Sequence, residues 1–145
     1  MKDPAIQAFS IGDAAKRSGV KVPTIRFYEE IGLLPVPART EGNRRLYSIT
    51  DLRRLAFIRH ARELGFEINA IRTLLALQDD PEQSCSSADA IARSRLADVE
   101  RRLVSLNALK AELKLMLDGC AMGKVGRCRV IEALADHGQC LNERH

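Results

Sequence analysis

Residues 10–32 have the sequence SIGDAAKRSGVKVPTIRFYEEIG, and the class of fold can be predicted from these 23 residues. Ser10 is a good N-cap for a short helix, and Gly19 is the kind of residue that commonly ends one. Pro23 is acceptable in the first turn of a second short helix, which Gly32 stops. Two short helices joined by a tight turn that contains glycine are typical of a helix-turn-helix. The stretch therefore predicts a mainly α protein built on this motif.

The residues that follow predict a small hairpin, or wing, and two more helices. Pro35 and Pro37 break the chain, and residues 41–43, Glu-Gly-Asn, form a turn signal between two short extended arms. A helix N-capped by Thr50 comes next, and a further helix is expected over residues 67–77. The helix after Thr50 is predicted to bury apolar residues at helical spacing, namely Leu52, Leu55, Ile58 and Leu64.

A long periodic segment runs from about Ser87 to Asp118. Its apolar residues alternate by three and four positions, which is the pattern of a coiled-coil seam. These residues are Leu96, Val99, Leu103, Leu106, Leu109, Leu113 and Met116. The pattern predicts a long dimerisation helix.

Cysteines flank this predicted helix on both sides. Cys85 precedes the helix and Cys120 follows it, and 35 positions separate the two cysteines. At about 1.5 Å per helical residue, the two thiols of one chain would lie roughly 45–50 Å apart and could not share an ion. They can meet if two such helices lie antiparallel. The spacing therefore predicts a homodimer in which Cys85 of one subunit faces Cys120 and Cys128 of the other.

Composition narrows the classes of function. The 145 residues contain no apolar run long enough for a membrane span, and the N-terminus lacks the apolar core of a signal peptide. We therefore expect a cytoplasmic protein without a membrane partner, in which four cysteines favour metal or redox chemistry over structural disulfides. The net charge is only +4, but seven arginines lie between positions 39 and 62. Such a basic stretch can neutralise nucleic-acid phosphates.

Four segments of the chain resemble the MerR family of transcriptional regulators. They are IGDAA at 11–15, TIRFYEEIGLL at 24–34, GNRRLY at 42–47 and LAFIRHARELGF at 55–66. The resemblance extends from about Phe9 to about Leu134. It implies a winged helix-turn-helix DNA-binding domain over 9–78, an antiparallel coiled-coil dimerisation helix over 86–119, a metal-binding loop and short helix over 120–136, and a tail over 137–145.

The resemblance also implies a mode of action on double-stranded promoter DNA. The second short helix would enter the major groove, and the wing would lie against the backbone. The activated dimer would distort the promoter so that RNA polymerase can engage it, switching on metal-resistance or efflux genes. Residues that match DNA-contacting positions of the family are Thr24, Arg26, Tyr28, Arg39, Asn43, Arg45 and Tyr47, and Lys21 is a further candidate. Phe27, between two of them, is expected in the core.

The same resemblance assigns the cysteines to a metal site. Metal-sensing members carry a cysteine loop after the dimer helix, here Cys120-x7-Cys128. Members that sense monovalent ions have serine just before that helix, whereas members that sense zinc, cadmium, lead or mercury have cysteine, here Cys85. A third thiolate suits trigonal or tetrahedral coordination. We therefore predict a divalent soft or borderline ion without choosing one. The seven-residue loop resembles that of monovalent sensors, and Ala121 stands where zinc sensors of the family often carry a second cysteine. Cys140 or His137 are further candidate ligands.

Other functions remain open on the sequence alone. A thiol-based sensor of oxidants or electrophiles in the same family would need reactive cysteines, and Arg127 and Arg129 beside Cys128 would favour its thiolate. A metal-buffering protein is disfavoured by the basic wing. An enzyme is not expected, because the sequence has no C-x-x-C, nucleophile elbow or glycine-rich phosphate loop.

Overall fold

The computed structural model describes residues 7–118, 123–125 and 128–136. Over these residues the elements in chain order are α1 (Ile11–Ser18), α2 (Val22–Glu30), β1 (Ala38–Arg39), β2 (Arg45–Leu46), α3 (Ile49–Glu63), α4 (Ile68–Gln78), α5 (Ser86–Asp118) and α6 (Arg129–Ala135). The prediction of a mainly α fold with a long helix after the DNA-binding domain is confirmed. None of these helices has the length and apolar character needed to cross a membrane. The chain divides into two compact units, with the boundary after Ile91 inside α5.

Local signals in the sequence set the bounds of α1 and α2. The Ser10 hydroxyl accepts a hydrogen bond from the Asp13 N–H at 3.1 Å, and so caps α1 as predicted. Gly19, with φ 73°, ends α1 in the left-handed region that favours glycine. Pro23 lies in the first turn of α2, and Gly32 follows the C-cap with φ 78°. The predicted helix-turn-helix is therefore present.

The predicted wing is present as a two-stranded antiparallel hairpin. Ala38 pairs with Leu46 and Arg39 with Arg45. Asn43, at φ 62°, makes the turn, and its N–H donates to the Thr40 carbonyl at 2.9 Å. A non-local bridge extends this sheet, because Phe9 and Tyr47 exchange two backbone hydrogen bonds of 2.8 Å. The wing is thereby attached to the segment that leads into α1.

The N-cap of α3 differs from the prediction. Ser48, rather than Thr50, accepts a hydrogen bond from the Asp51 N–H at 3.1 Å, and the Asp51 carboxylate accepts one from the Ser48 N–H at 2.9 Å. This reciprocal pair is a capping box, and it satisfies two backbone donors that would otherwise be left over at the helix start. The helix therefore begins at Ile49.

The core of the first unit forms between α3 and its neighbours. Three of the four predicted core residues of α3 are buried, but Leu64 is 55% exposed and the prediction for it was wrong. The reason is that α3 ends at Glu63, so that Leu64 is already the C-cap, and Ala61 takes the last buried position. From α4, Ile71 and Leu75 join this core. The full set of buried apolar residues is Phe9, Ala14, Val20, Ile25, Tyr28, Leu33, Leu34, Tyr47, Leu52, Leu55, Ile58, Ala61, Ile71 and Leu75.

The apolar seam of α5 is largely open in the single chain. Leu96, Leu103, Leu106 and Leu113 are each at least half exposed along this 33-residue helix. Large apolar side chains repeated in this way are typical of a surface that another chain covers.

Candidate nucleic-acid interface and metal-ligand residues

One face of α2 is directed outward. Pro23, Arg26, Phe27 and Glu30, at positions i, i+3, i+4 and i+7, are all exposed, while Ile25 and Tyr28 lie in the core. This is the spacing of a single helix face. Arg26 therefore has the exposure that a DNA contact requires. The prediction that Phe27 is a core residue was wrong, because its side chain is 46% exposed.

Both tyrosines predicted to contact DNA are buried. Tyr28 is 7% exposed and Tyr47 is 1% exposed. The Tyr47 hydroxyl donates a hydrogen bond to Glu29 Oε1. Burial first, and then this hydrogen bond and the charge of Glu29, raise the pKa of Tyr47, so the hydroxyl stays protonated and keeps donating. Contact of these tyrosines with DNA stays a prediction; the structure adds a supporting role for Tyr47.

Glu29 joins α2 to the wing. Its second carboxylate oxygen, Oε2, accepts a hydrogen bond from Arg45 Nε at 3.1 Å, in a largely buried ion pair. A single carboxylate therefore ties a residue of β2 and the residue just after β2 to α2. Glu29 was absent from the predicted site. The signal that could have identified it is an acidic residue in the last turn of α2, in a chain whose wing carries an Arg-x-Tyr pattern.

Basic side chains line two open clefts that both border α2. Arg26, Asn43 and Arg45 line one of them together with Ser10, Ile11 and Arg44. Lys21, Thr24 and Tyr28 line the other together with Gly19, Val20, Arg59, Arg62 and Glu63. Most of the predicted DNA contacts thus border one of these two clefts. Arg59 and Arg62 also line the second cleft, although the sequence predicted them only as members of a basic stretch.

Two further interactions shape the borders of these clefts. On the wing, Arg39 Nη1 donates to the Asn43 carbonyl at 3.1 Å, which holds the turn in place. On α3, the Arg59 guanidinium lies over Gly19, donates to the Ser18 carbonyl at 3.4 Å and pairs with Glu63 at 3.1 Å. A Cβ at position 19 would meet this guanidinium, so the flexible Arg59 side chain would have to move aside.

The predicted metal ligands are described only in part. Cys85 is exposed and directly precedes α5, where its carbonyl accepts a hydrogen bond from the Asp89 N–H at 2.9 Å. Cys128 is half-buried and is the N-cap of α6. Cys120, Cys140 and His137 lie outside the described residues. Within the described ranges, no group of three or more His, Cys, Asp or Glu side chains is placed to hold an ion.

The donor set suits a soft metal. Both described cysteines carry thiols that are not joined in a disulfide. Thiolates are the preferred ligands of soft and borderline ions. The chemistry of these residues is therefore compatible with the predicted ion, whichever member of the class it is.

Comparison with known proteins places this chain among regulators. Residues 9–78 match the model of the MerR HTH family regulatory proteins, and residues 52–116 match the MerR DNA-binding model. The chain is 42% identical over 130 residues to the HTH-type transcriptional regulator ZntR of Escherichia coli K12, a match that covers 87% of this chain and 92% of ZntR.

Two solved structures have the same fold with a bound ion. The transcription regulator PbrR691 of Ralstonia metallidurans CH34, in complex with lead(II), aligns with a TM-score of 0.74 and 39% identity, covering 87% of this chain and 98% of that one. The dual-function transcriptional regulator MerR of Bacillus megaterium MB1, in complex with mercury(II), aligns with a TM-score of 0.66 and 30% identity, covering 88% and 100%.

Proposed function

The chain belongs to the MerR family of helix-turn-helix regulators, and on that premise we propose that it is a metal-responsive, DNA-binding transcriptional activator. One observation carries the proposal: α2 directs Arg26 outward and borders two arginine-lined clefts, in a chain whose cysteines flank the long helix α5. The protein acts on promoter DNA as a cytoplasmic homodimer, and it is not an enzyme.

In the DNA complex, α2 lies in the major groove. Arg26 is the outward basic side chain of this helix, and Lys21 and Thr24 border the cleft on one side of it. Asn43, Arg44 and Arg45 border the other cleft, where donors from the wing meet phosphate oxygens. Arg39 and Tyr47 support these contacts indirectly. Arg39 donates to the Asn43 carbonyl in the wing turn, and the Tyr47 hydroxyl donates to the Glu29 carboxylate. Tyr28 lines the same cleft as Lys21 and Thr24.

The metal site is formed by Cys120 and Cys128 of one subunit and by Cys85 from the partner subunit. An uninterrupted α5 of 33 residues supports this arrangement, because a helix of that length rises about 50 Å between its ends. The open seam of α5 supports the homodimer that brings the two ends together. A bound divalent ion would supply a bridge between subunits at each end of the interface. Zinc, cadmium, lead and mercury remain the candidates, with Cys140 and His137 as further donors.

Activation follows from the way the site is shared. Ligands drawn from two subunits favour one arrangement of the two DNA-binding units, and that arrangement distorts the promoter so that RNA polymerase can engage it. By linkage, promoter DNA in the distorted form raises the affinity for the ion by the same factor as the ion raises the affinity for that DNA.

A thiol-based sensor of oxidants is the alternative function. The observation in its favour is the exposure of Cys85, since an accessible thiol is open to oxidation. The two functions differ in what alters promoter binding, which is the ion in one case and the oxidant in the other.

The test is a binding titration of the reduced full-length protein with a fluorescent duplex of its own upstream promoter. Zinc, cadmium, lead and mercury salts are added in turn, and hydrogen peroxide serves as the oxidant arm. We expect at least one ion to change promoter affinity or open the promoter for transcription in vitro, and the Cys85→Ser variant to lose the response. The variant Gln83→Ala, in the same loop, is the control that should respond normally. A response to peroxide alone would replace this proposal by the alternative.

A further inference from the structure

We propose that Arg54 is a positioning residue that couples the loop carrying Cys85 to the recognition helix α2. This inference rests on the proposed function and deepens it, because it concerns how a change at Cys85 reaches the DNA-binding surface. Arg54 lies in the middle of α3, outside both the predicted DNA contacts and the cysteine site.

The first half of the coupling is a hydrogen bond to the end of the recognition helix. Arg54 Nε donates to the Leu33 carbonyl at 2.8 Å. Leu33 belongs to the turn that closes α2, since its N–H donates to the Tyr28 carbonyl at 2.9 Å. The Leu33 side chain is 1% exposed, so this turn is anchored in the core as well. A shift of the Arg54 guanidinium therefore acts directly on the C-terminal turn of α2.

The second half is an ion pair with the start of the Cys85 loop. Arg54 Nη1 lies 3.2 Å from Asp79 Oδ1 and 3.1 Å from Asp79 Oδ2. Asp79 is the C-cap of α4 and the first residue after that helix. One planar guanidinium thus holds two partners at fixed angles, which a lysine ammonium could not reproduce.

The loop between Asp79 and Cys85 is short and internally bonded. The Asp80 N–H donates to the Leu77 carbonyl at 3.1 Å, and the Gln83 N–H donates to the Asp80 carbonyl at 3.1 Å. At the far end, the Ser86 N–H donates to Ser84 Oγ at 3.2 Å. These hydrogen bonds restrict the loop backbone, so a displacement of Cys85 also displaces Asp79.

A neighbouring arginine shows what is particular to Arg54. Arg72 of α4 also caps the end of α2, since its Nη2 donates to the Ile31 carbonyl at 2.7 Å. Within residues 7–118, Arg72 makes no hydrogen bond or ion pair with the Cys85 loop, so it fixes α2 against α4 without involving the sensor. Within the part of the chain that the structure describes, Arg54 is the side chain with contacts both to the end of α2 and to the first residue of this loop.

The expected effect is modest and specific. Asp79 is 61% exposed and Arg54 21% exposed, so solvent screens the pair and its loss should change the coupling by about 1.5- to 5-fold. The quantity to measure is the ratio of promoter dissociation constants without and with saturating cadmium. Asp79→Asn should move this ratio toward one by that factor, while cadmium affinity in the absence of DNA stays unchanged. Arg54→Lys should do the same, because it keeps the charge but loses the two-sided contact.

The matched control is Asp80→Asn, which removes the same charge from the adjacent position of the same loop. Its ratio should equal that of the unaltered protein. A merely structural role for the pair would lower the melting temperature and weaken both promoter affinities equally, leaving the ratio unchanged in Asp79→Asn; that result overturns the inference. Failure of the proposed function is seen separately, because the unaltered protein would then neither change its promoter affinity nor open the promoter with any of the four ions, and both proposals would fall. Where an ion opens the promoter without changing the affinity, the transcript yield with and without that ion replaces the ratio.

Discussion

At the residue scale, the carboxylate of Glu29 is the clearest link between sequence and site. It accepts hydrogen bonds from the Tyr47 hydroxyl and from Arg45, and it is itself nearly buried. We expect Glu29→Ala to lower the free energy of unfolding by about 1–3 kcal/mol, because a buried hydroxyl loses its acceptor. Promoter affinity should also fall, because the wing is no longer tied to α2. Urea denaturation and fluorescence anisotropy measure the two effects.

The neighbouring carboxylate provides the control for this prediction. Glu30 carries the same charge but lies on the outward face of α2. Glu30→Ala should change stability by no more than about 0.5 kcal/mol, as is usual for an exposed site. Its promoter affinity should rise, because a negative charge is removed from the DNA-facing surface. Equal losses of affinity in the two variants would contradict the role given to Glu29.

Gly19 is the second residue whose identity the structure demands. Its φ of 73° disfavours any side chain, and a Cβ would collide with the Arg59 guanidinium. We expect Gly19→Ala to cost about 1–3 kcal/mol of stability, which combines backbone strain with the displacement of Arg59. The double variant with Arg59→Ala should recover the part that is due to the collision. Thermal melts of the single and double variants give the two terms.

Gly12 is the matched glycine for that experiment. An added Cβ there would meet only Ser10 Oγ at 3.9 Å, and the position lies in α1 without a positive φ. Gly12→Ala should therefore be neutral or stabilise the protein by about 0.4–1 kcal/mol. If both alanine variants lost stability to the same extent, the strain at Gly19 would not be the cause.

For the helices and strands, the ends marked by glycines were predictable from the sequence. Which of two neighbouring residues is buried was not. Gly19 and Gly32 marked the ends of α1 and α2, because only a few residues tolerate the left-handed region. Phe27 and Tyr28 are adjacent aromatic residues, and local sequence does not say which of them faces inward. Tertiary packing decides this, since Ile25 and Tyr28 share the buried face and leave Phe27 outside.

The wing shows the same limit for non-local pairing. Its turn was predictable from residues 41–43, but its attachment to the α1 segment was not. Phe9 and Tyr47 pair although 38 positions separate them, and the sequence around either residue does not predict this pairing. The burial of Tyr47 follows from this pairing, so its supporting role could be identified only in the folded chain.

The start of α3 gives the prediction at this scale. Both Ser48 and Thr50 are good N-cap residues, but the reciprocal bonds with Asp51 form at Ser48. Ser48→Ala should cost about 1 kcal/mol, the usual value for a lost cap. Thr50→Ala, at an exposed position inside the first turn, should change stability by less than about 0.5 kcal/mol. Chemical denaturation of the two variants separates these expectations, and a larger loss in Thr50→Ala would restore the original assignment.

For the whole molecule, the central question is whether the metal site is shared between subunits. The length of α5 and its apolar seam were predictable, because heptad-like spacing over 33 residues is a strong helix signal. The ligand geometry was not, since it depends on how a second chain lies against the seam of Leu96, Leu103, Leu106 and Leu113. The spacing of Cys85 and Cys120 in the sequence is the reason to expect a metal site shared between subunits. Mixed dimers of complementary variants test this expectation.

A heterodimer of two complementary variants makes that measurement. One subunit carries Cys85→Ser and the other carries Cys120→Ser with Cys128→Ser. If ligands come from both chains, Cys85 of the second subunit completes one site with the thiols of the first, and the mixed dimer should bind one cadmium ion. Each variant homodimer should lose tight binding. If every site drew its ligands from one chain, neither homodimer nor heterodimer would regain it, because no single chain would keep all three thiols. Absorbance of the cadmium–thiolate bond against protein concentration counts the ions, and a stoichiometry of zero in the heterodimer would rule out the shared site.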